Sequence, residues 1–271
     1  MNKIENNNER GNFTAGTINH LSASTISSMK TCAKAVYFQK IEGIPNKTQY
    51  ARTIFGLAIH HALEQWGKHY IETKNLLPLE TTIKYFKEYF YENKNKITIW
   101  GSKDTFDSMT VAGVDAICAF YETYANKLKP KCVESGFVIN RGENKLPIIG
   151  YQDLLTEDGC IYDYKCGVLA SPAKYICNMT IYAWDYVNKN GVMPNKVATL
   201  AIKWRTKDKM YYFAGWEEHV LPIDEKYFEY AKTECDDIEK KIKARVFERA
   251  EAGCGLCKKC GYKEKCGVVI L

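Results

Sequence analysis

Gly150-Tyr151-Gln152-Asp153-Leu154-Leu155, a turn at Glu157-Asp158-Gly159, and Cys160-Ile161-Tyr162-Asp163-Tyr164-Lys165 together decide how the chain folds. The first run is apolar enough for a buried strand, Asp-Gly is a hairpin signal, and the second run alternates as a partner strand. Alternation puts Asp163 and Lys165 on one face and Tyr164 on the other. Carboxylates on adjoining strands repel unless a cation lies between them, and a neighbouring ammonium can steer a metal-bound water. That is phosphodiester cleavage in outline. The stretch alone also has a plainer reading, with an Asp capping a strand end and Asp-x-Lys as a surface ion pair. The rest of the chain decides between the two.

Working outward, strands are expected over 132–140, 146–155 and 160–166. A helix opens at Ser171-Pro172 and runs to 188, with Pro172 suited to its first turn. Strands over 196–205 and 210–221, joined through Thr206-Lys207-Asp208-Lys209, precede a helix over 224–252. Upstream, apolar residues recur at helical spacing over 22–41 (Ile26, Met29, Cys32, Ala33, Val36) and 50–71 (Ile54, Leu57, Ala58, His61, Ala62, Leu63). Further helices are expected over 78–95 and 104–128. Helices, then sheet, helix, sheet and helix describe a mixed α/β domain. Residues 1–19 read as a flexible arm and 20–271 as one domain, with 75–130 a helical insertion and 253–271 a cysteine cluster.

The 271 residues carry a net charge of +6, which permits nucleic-acid binding without requiring it. Neither a signal peptide nor a membrane span is visible, so a cytoplasmic protein with no membrane partner is expected. Eleven cysteines are an odd number, and a reducing compartment argues against a disulfide framework. Cys118, Cys160, Cys177 and Cys235 sit in apolar patterns, as small core residues do. Nineteen Tyr and five Trp serve mainly the core, with some available for stacking on bases.

Cys254, Cys257, Cys260 and Cys266 are too dense to be accidental. Thiolates this close repel or oxidise unless a metal neutralises them. Zinc would be satisfied by the four local Cys. An iron–sulfur cluster would take those four, or three of them and a distant Cys.

The combination of Gly56-Leu57-Ala58-Ile59-His60 followed by Glu64, Gly150-x-x-Asp153 and Asp163-Tyr164-Lys165 resembles the RecB-like branch of the PD-(D/E)xK nuclease superfamily. The tail resembles the iron–sulfur staple of its AddB-type members and of CRISPR-adaptation nucleases, with Cys257, Cys260 and Cys266 as C-x2-C-x5-C and Cys32 upstream. The resemblance spans about residues 20–271 and implies a restriction-endonuclease-like core: a mixed sheet flanked by helices, closed by a [4Fe-4S] cluster. It also implies that Asp153, Asp163 and His60, with the Tyr164 carbonyl, bind Mg2+ or Mn2+ while Lys165 activates the attacking water. His61 is then the packed histidine, and Glu134 a further acid near the metal. Three departures stand out. Asn178 and Tyr182 occupy the place of the family's Gln and Tyr, Gln152 that of the eponymous proline, and Cys254 is an extra Cys.

The implied activity is a DNA exonuclease acting on single strands or free ends. Lys203, Arg205, Lys207 and Lys209 are candidate phosphate guides, although they read more simply as a solvated hairpin. The same motifs admit a CRISPR spacer-processing nuclease with an integrase or helicase partner. They also admit a non-cleaving DNA-binding module and an interaction protein with a zinc-bound tail.

Overall fold

The computed structural model describes residues 16–166, 175–207, 210–251 and 255–267. Five strands, β1 (Pro130–Ile139), β2 (Ile148–Thr156), β3 (Cys160–Cys166), β4 (Lys196–Lys207) and β5 (Met210–Val220), form one sheet in that spatial order. All neighbours are antiparallel except β3 and β4, which run parallel. A parallel pair needs a crossover, and helix α5 (Ile176–Asn190) lies within it. This mixed sheet between helices is the expected fold class.

One face of the sheet carries α2 (Ala51–Thr73), α3 (Leu79–Asn93) and α4 (Phe106–Phe120). Their buried residues join Leu154, Tyr162, Tyr164 and Leu200 in a core where Phe55 meets Phe86, Phe90 and Trp204 edge-on. The helices of the expected insertion are thus built into this core; Trp216 of β5 donates to the Ala116 carbonyl at 2.8 Å. The other face carries α1 (Ala23–Val36), α5 and α6 (Glu225–Lys243), packed on Phe137, Ile139, Ile148, Ile161 and Val197. Of the expected arm, residues 16–19 are described, and Ile18 is buried in this second core. Leu21 then bonds through its backbone to Pro147 and Ile149 beside β2.

Three helices differ from their expected lengths, α4 stopping at Phe120 and continuing as a wider turn over Tyr121–Ala125. The first stops at Val36 and continues as a wider turn over Tyr37–Ile41, and Cys32 within it is extended, with φ −162° and ψ 95°. The last stops at Lys243 instead of reaching 252. Arg245 adopts φ +56° and Val246 N–H bonds back to the Lys241 carbonyl, so the chain reverses. The Glu248 carbonyl then accepts from Lys34 N–H, and Phe247 packs on Tyr37. Cys160, Cys177 and Cys235 are buried and Cys118 half-buried. The start of the helix expected at Ser171-Pro172 and the Asp208-Lys209 turn lie outside the described residues.

Candidate active site

Beyond the pairs Leu154–Tyr162 and Leu155–Ile161, the β2–β3 ladder gives way to side chains. Asp153 Oδ2 accepts the Tyr164 N–H at 2.7 Å, and His60 Nε2 lies 3.0 Å from the Tyr164 carbonyl oxygen. A residue's N–H and C=O point to the same side of its strand, so Asp153 and His60 together occupy the edge that β2 leaves open. His60 arrives there on α2, which approaches β3 closely at Gly56. A Cβ on that glycine would stand 3.3 Å from Cys166 Cβ, tighter than ordinary contact.

Glu134 completes the group. The pairs Val133–Leu154 and Ser135–Gln152 flank it, which puts it across from Asp153. Its φ of +44° is unusual for a side chain other than glycine. Ligand atoms of His60, Glu134 and Asp153 lie within 4.8 Å of one another, and among the described residues this is the one such trio of His, Cys, Asp or Glu. His60 Nδ1 is 3.5 Å from Asp153 Oδ2.

Burial lowers the His60 pKa, outweighing the pull of Asp163, so the ring is neutral near pH 7. A neutral imidazole has one N–H and one lone pair. Without a cation the proton sits on Nε2, facing the Tyr164 carbonyl, and the Nδ1 lone pair faces a carboxylate. Two electron pairs facing each other at that distance call for a positive charge between them. Nδ1 and Asp153 Oδ2, 3.5 Å apart, can then serve as adjacent ligands of one octahedral ion, whose bonds of about 2.1 Å put neighbouring ligands roughly 3 Å apart. The donor set therefore fits a divalent cation.

Asp163 is buried behind this trio and ion-paired with Lys165. Burial disfavours the Lys165 charge, but Asp163 and Asp153 outweigh it and raise the pKa. Tyr182 on α5 has its pKa pushed well up by burial and by the charges of Asp163, Asp153 and Glu134. His60, Glu134, Asp153 and Tyr182 line one cavity of about 560 Å³. His60, Tyr164 and Lys165 line an adjoining one of about 380 Å³. Asn178 lines neither. Gln152 has a structural task here, donating at 3.0 Å to the Tyr182 carbonyl and tying β2 to α5. His61 stacks on Tyr89 at 5.0 Å. Tyr89 and Tyr151 line the larger cavity; neither was singled out from sequence, although Tyr151 sits inside the Gly150–Asp153 motif. Lys203 pairs with Glu217 at 2.8 Å, and Lys209 lies outside the described residues.

A second cavity system lies at the chain's cysteines. Cys32, Cys257, Cys260 and Cys266 line a single space of about 240 Å³ together with Lys34, Arg249 and Lys263. Tyr262 secures the tail: it is 5% exposed, its hydroxyl donates to the Ile44 carbonyl at 3.3 Å, and its ring lies against Phe38. Tyr262 N–H also donates to Cys260 Sγ at 3.4 Å. Cys254 lies outside the described residues.

The PD-(D/E)XK nuclease superfamily model matches residues 20–267. The chain belongs to the PD-(D/E)XK nuclease superfamily. Among solved structures, a "Putative exonuclease" from Eubacterium rectale aligns at a TM-score of 0.53 and 11% identity, over 89% of this chain and 87% of that one. The protein SSO0001 aligns at a TM-score of 0.42 and 13% identity, over 95% and 90%. No curated protein matches the chain. As a PD-(D/E)XK nuclease the protein is a metal-dependent phosphodiester hydrolase with nucleic acid as substrate. No described helix of this nuclease is long and apolar enough to cross a membrane.

Proposed function

We propose that the protein is a DNA exonuclease acting on single strands or free ends, with Mg2+ or Mn2+ at the active site and a [4Fe-4S] cluster closing the fold. The observation that carries the catalytic part is the convergence of His60, Glu134, Asp153 and the Tyr164 carbonyl beside a charged Lys165. His60, Asp153 and the Tyr164 carbonyl would hold the cation with Glu134 adding a carboxylate, and Asp163, paired with Lys165, would be the further ligand that the family pattern implies. When bound, such a cation polarises the scissile phosphate and lowers the pKa of a coordinated water toward neutrality. Lys165 donates to the attacking water and offsets charge developing on the phosphate oxygens. Asp163 keeps that ammonium charged and fixes its direction. Neutral His60 keeps a lone pair for the cation.

The cysteine cavity supports a cluster over zinc. Cys32 lines it together with Cys257, Cys260 and Cys266, the set of three tail cysteines and a distant one that an iron–sulfur cluster would take. The lining cations Lys34, Arg249 and Lys263 and the N–H on Cys260 Sγ suit a cluster whose thiolates leave it net negative.

Purified anaerobically, the protein should be brown. With Mn2+ it should shorten end-labelled single-stranded DNA progressively from an end. A colourless protein with stoichiometric zinc sinks the cluster, and internal nicking without end-dependence sinks the exonuclease. The spacer-processing reading differs only in partner and predicts co-purification of an integrase. The non-cleaving reading requires the Asn178 departure to silence the site, yet Asn178 lies outside both cavities.

A further inference from the structure

The two cavities that meet at His60 differ in charge. Leu57 and His60 line both. The smaller holds two cationic side chains, Arg52, paired with Asp104 at 3.0 Å, and Lys165, paired with Asp163; among the described residues the larger holds no Lys or Arg, and its acids are Glu64, Glu134 and Asp153. A row of phosphates therefore finds no cationic side chain in the larger cavity. Its walls are instead aromatic. Tyr151 is 44% exposed and pairs across the sheet with Gly136. A Cβ on Gly136 would stand 3.2 Å from Tyr151 Cε1, so the missing side chain lets the ring lie against β1 with its other side open. Tyr89 lines the same cavity, held by its stack on His61. Leu57, exposed and apolar, stands where the two spaces join.

We propose that the larger cavity receives the unpaired nucleobase next to the scissile phosphate. Tyr151 and the His61–Tyr89 pair are its stacking faces, and Leu57 separates that base from the strand continuing past Lys165 and Arg52. The proposal rests on the nuclease reading above and adds to it a requirement for an unstacked base. Every base has a π-face, so recognition by ring stacking tolerates any sequence, whereas a paired base in a duplex cannot offer its faces. The site thereby selects single-stranded or frayed ends over paired ones.

The test measures binding by the full-length protein with Ca2+ replacing Mn2+, using single strands with 2-aminopurine placed in turn at each end and matching strands abasic at those positions. The expected result is affinity about ten-fold higher for a base-bearing end than for its abasic counterpart, with 2-aminopurine emission quenched on binding. Tyr151→Ala should remove that preference and Tyr151→Phe should keep it. Equal affinity of the unaltered protein for both strands overturns the proposal, as does an equal loss on both strands in Tyr151→Ala. The abasic comparison needs no substitution, so it stands even if Tyr151→Ala folds poorly. A parallel Mn2+ cleavage assay keeps the two ideas apart. Cleavage without base preference rejects only the stacking site, and base preference without cleavage rejects only the nuclease reading.

Discussion

Lys165 keeps its charge despite burial because Asp163 and Asp153 outweigh the loss of water. Replacing it with Met should remove a donor to the reacting phosphate and lower kcat on the order of 10²–10³-fold. Mn2+ affinity, read by calorimetry, should stay unchanged; a parallel loss of metal binding would make the lysine a scaffold instead. Glu134 poses the opposite test. Its φ of +44° costs on the order of 1 kcal/mol for a side chain that glycine would not carry. Glu134→Gly should therefore raise the melting temperature of the metal-free protein while weakening Mn2+ binding. A variant less stable than the parent would show that Glu134 contributes more than it strains. At this scale motif spacing carries the approach of His60 to Asp153 and the pairing of Asp163 with Lys165. The left-handed turn at Glu134 was not legible, since no glycine or asparagine marks it. Tyr89 was also illegible: its place in the cavity comes from how α3 packs against α2, which no local pattern encodes.

Elements depend on ties that periodicity does not record. The connection from β1 to β2 is clamped to α6 through Arg141, whose side chain is 3% exposed. It donates to Glu239 at 2.8 Å and to the Leu146 carbonyl at 3.2 Å, and pairs with Asp236. Arg141→Ala removes charge-assisted hydrogen bonds but leaves Lys243 on Glu239 and Lys145 on Asp236, so it should cost about 1–3 kcal/mol in denaturant unfolding. A lysine contact holds the Asp236 carboxyl below its ordinary range. For Glu239, burial pushes upward but Lys243, the Leu146 N–H and Arg141 prevail, and the pKa is again low. Groups depressed in the folded state stabilise fully above their unfolded pKa, about 4, and lose that contribution as pH falls through the lower folded values. The stability gap between wild type and Arg141→Ala should accordingly narrow below about pH 4. A constant gap would assign the effect to packing alone. The strands and most helices were legible because their apolar spacing is regular. The end of α6 was not: Arg245 reverses the chain in favour of contacts with Lys34 and Tyr37 that are remote in sequence.

At the scale of the molecule, one sheet between two helical layers follows from the order of elements, and that order was visible in the chain. The meeting of Cys32 with Cys257, Cys260 and Cys266 was visible only as a resemblance, because nothing local to Cys32 marks it as a ligand. Bridging Cys32 to Cys257 closes a loop of about 225 residues, a constraint worth on the order of 5 kcal/mol by chain entropy. Cys32→Ser should bleach the protein and lower its unfolding midpoint accordingly. Full iron content in that variant would hand the fourth ligand position to Cys254. The 240 Å³ cavity also has a consequence in time. Cys32 leaves the ribosome about 225 residues before Cys257, so an assembly factor finds no complete vessel until the whole nuclease core has been made. Metal delivery would then act as an inspection of the finished core, and a copy truncated before Cys257 would reach the cell's proteases unsealed.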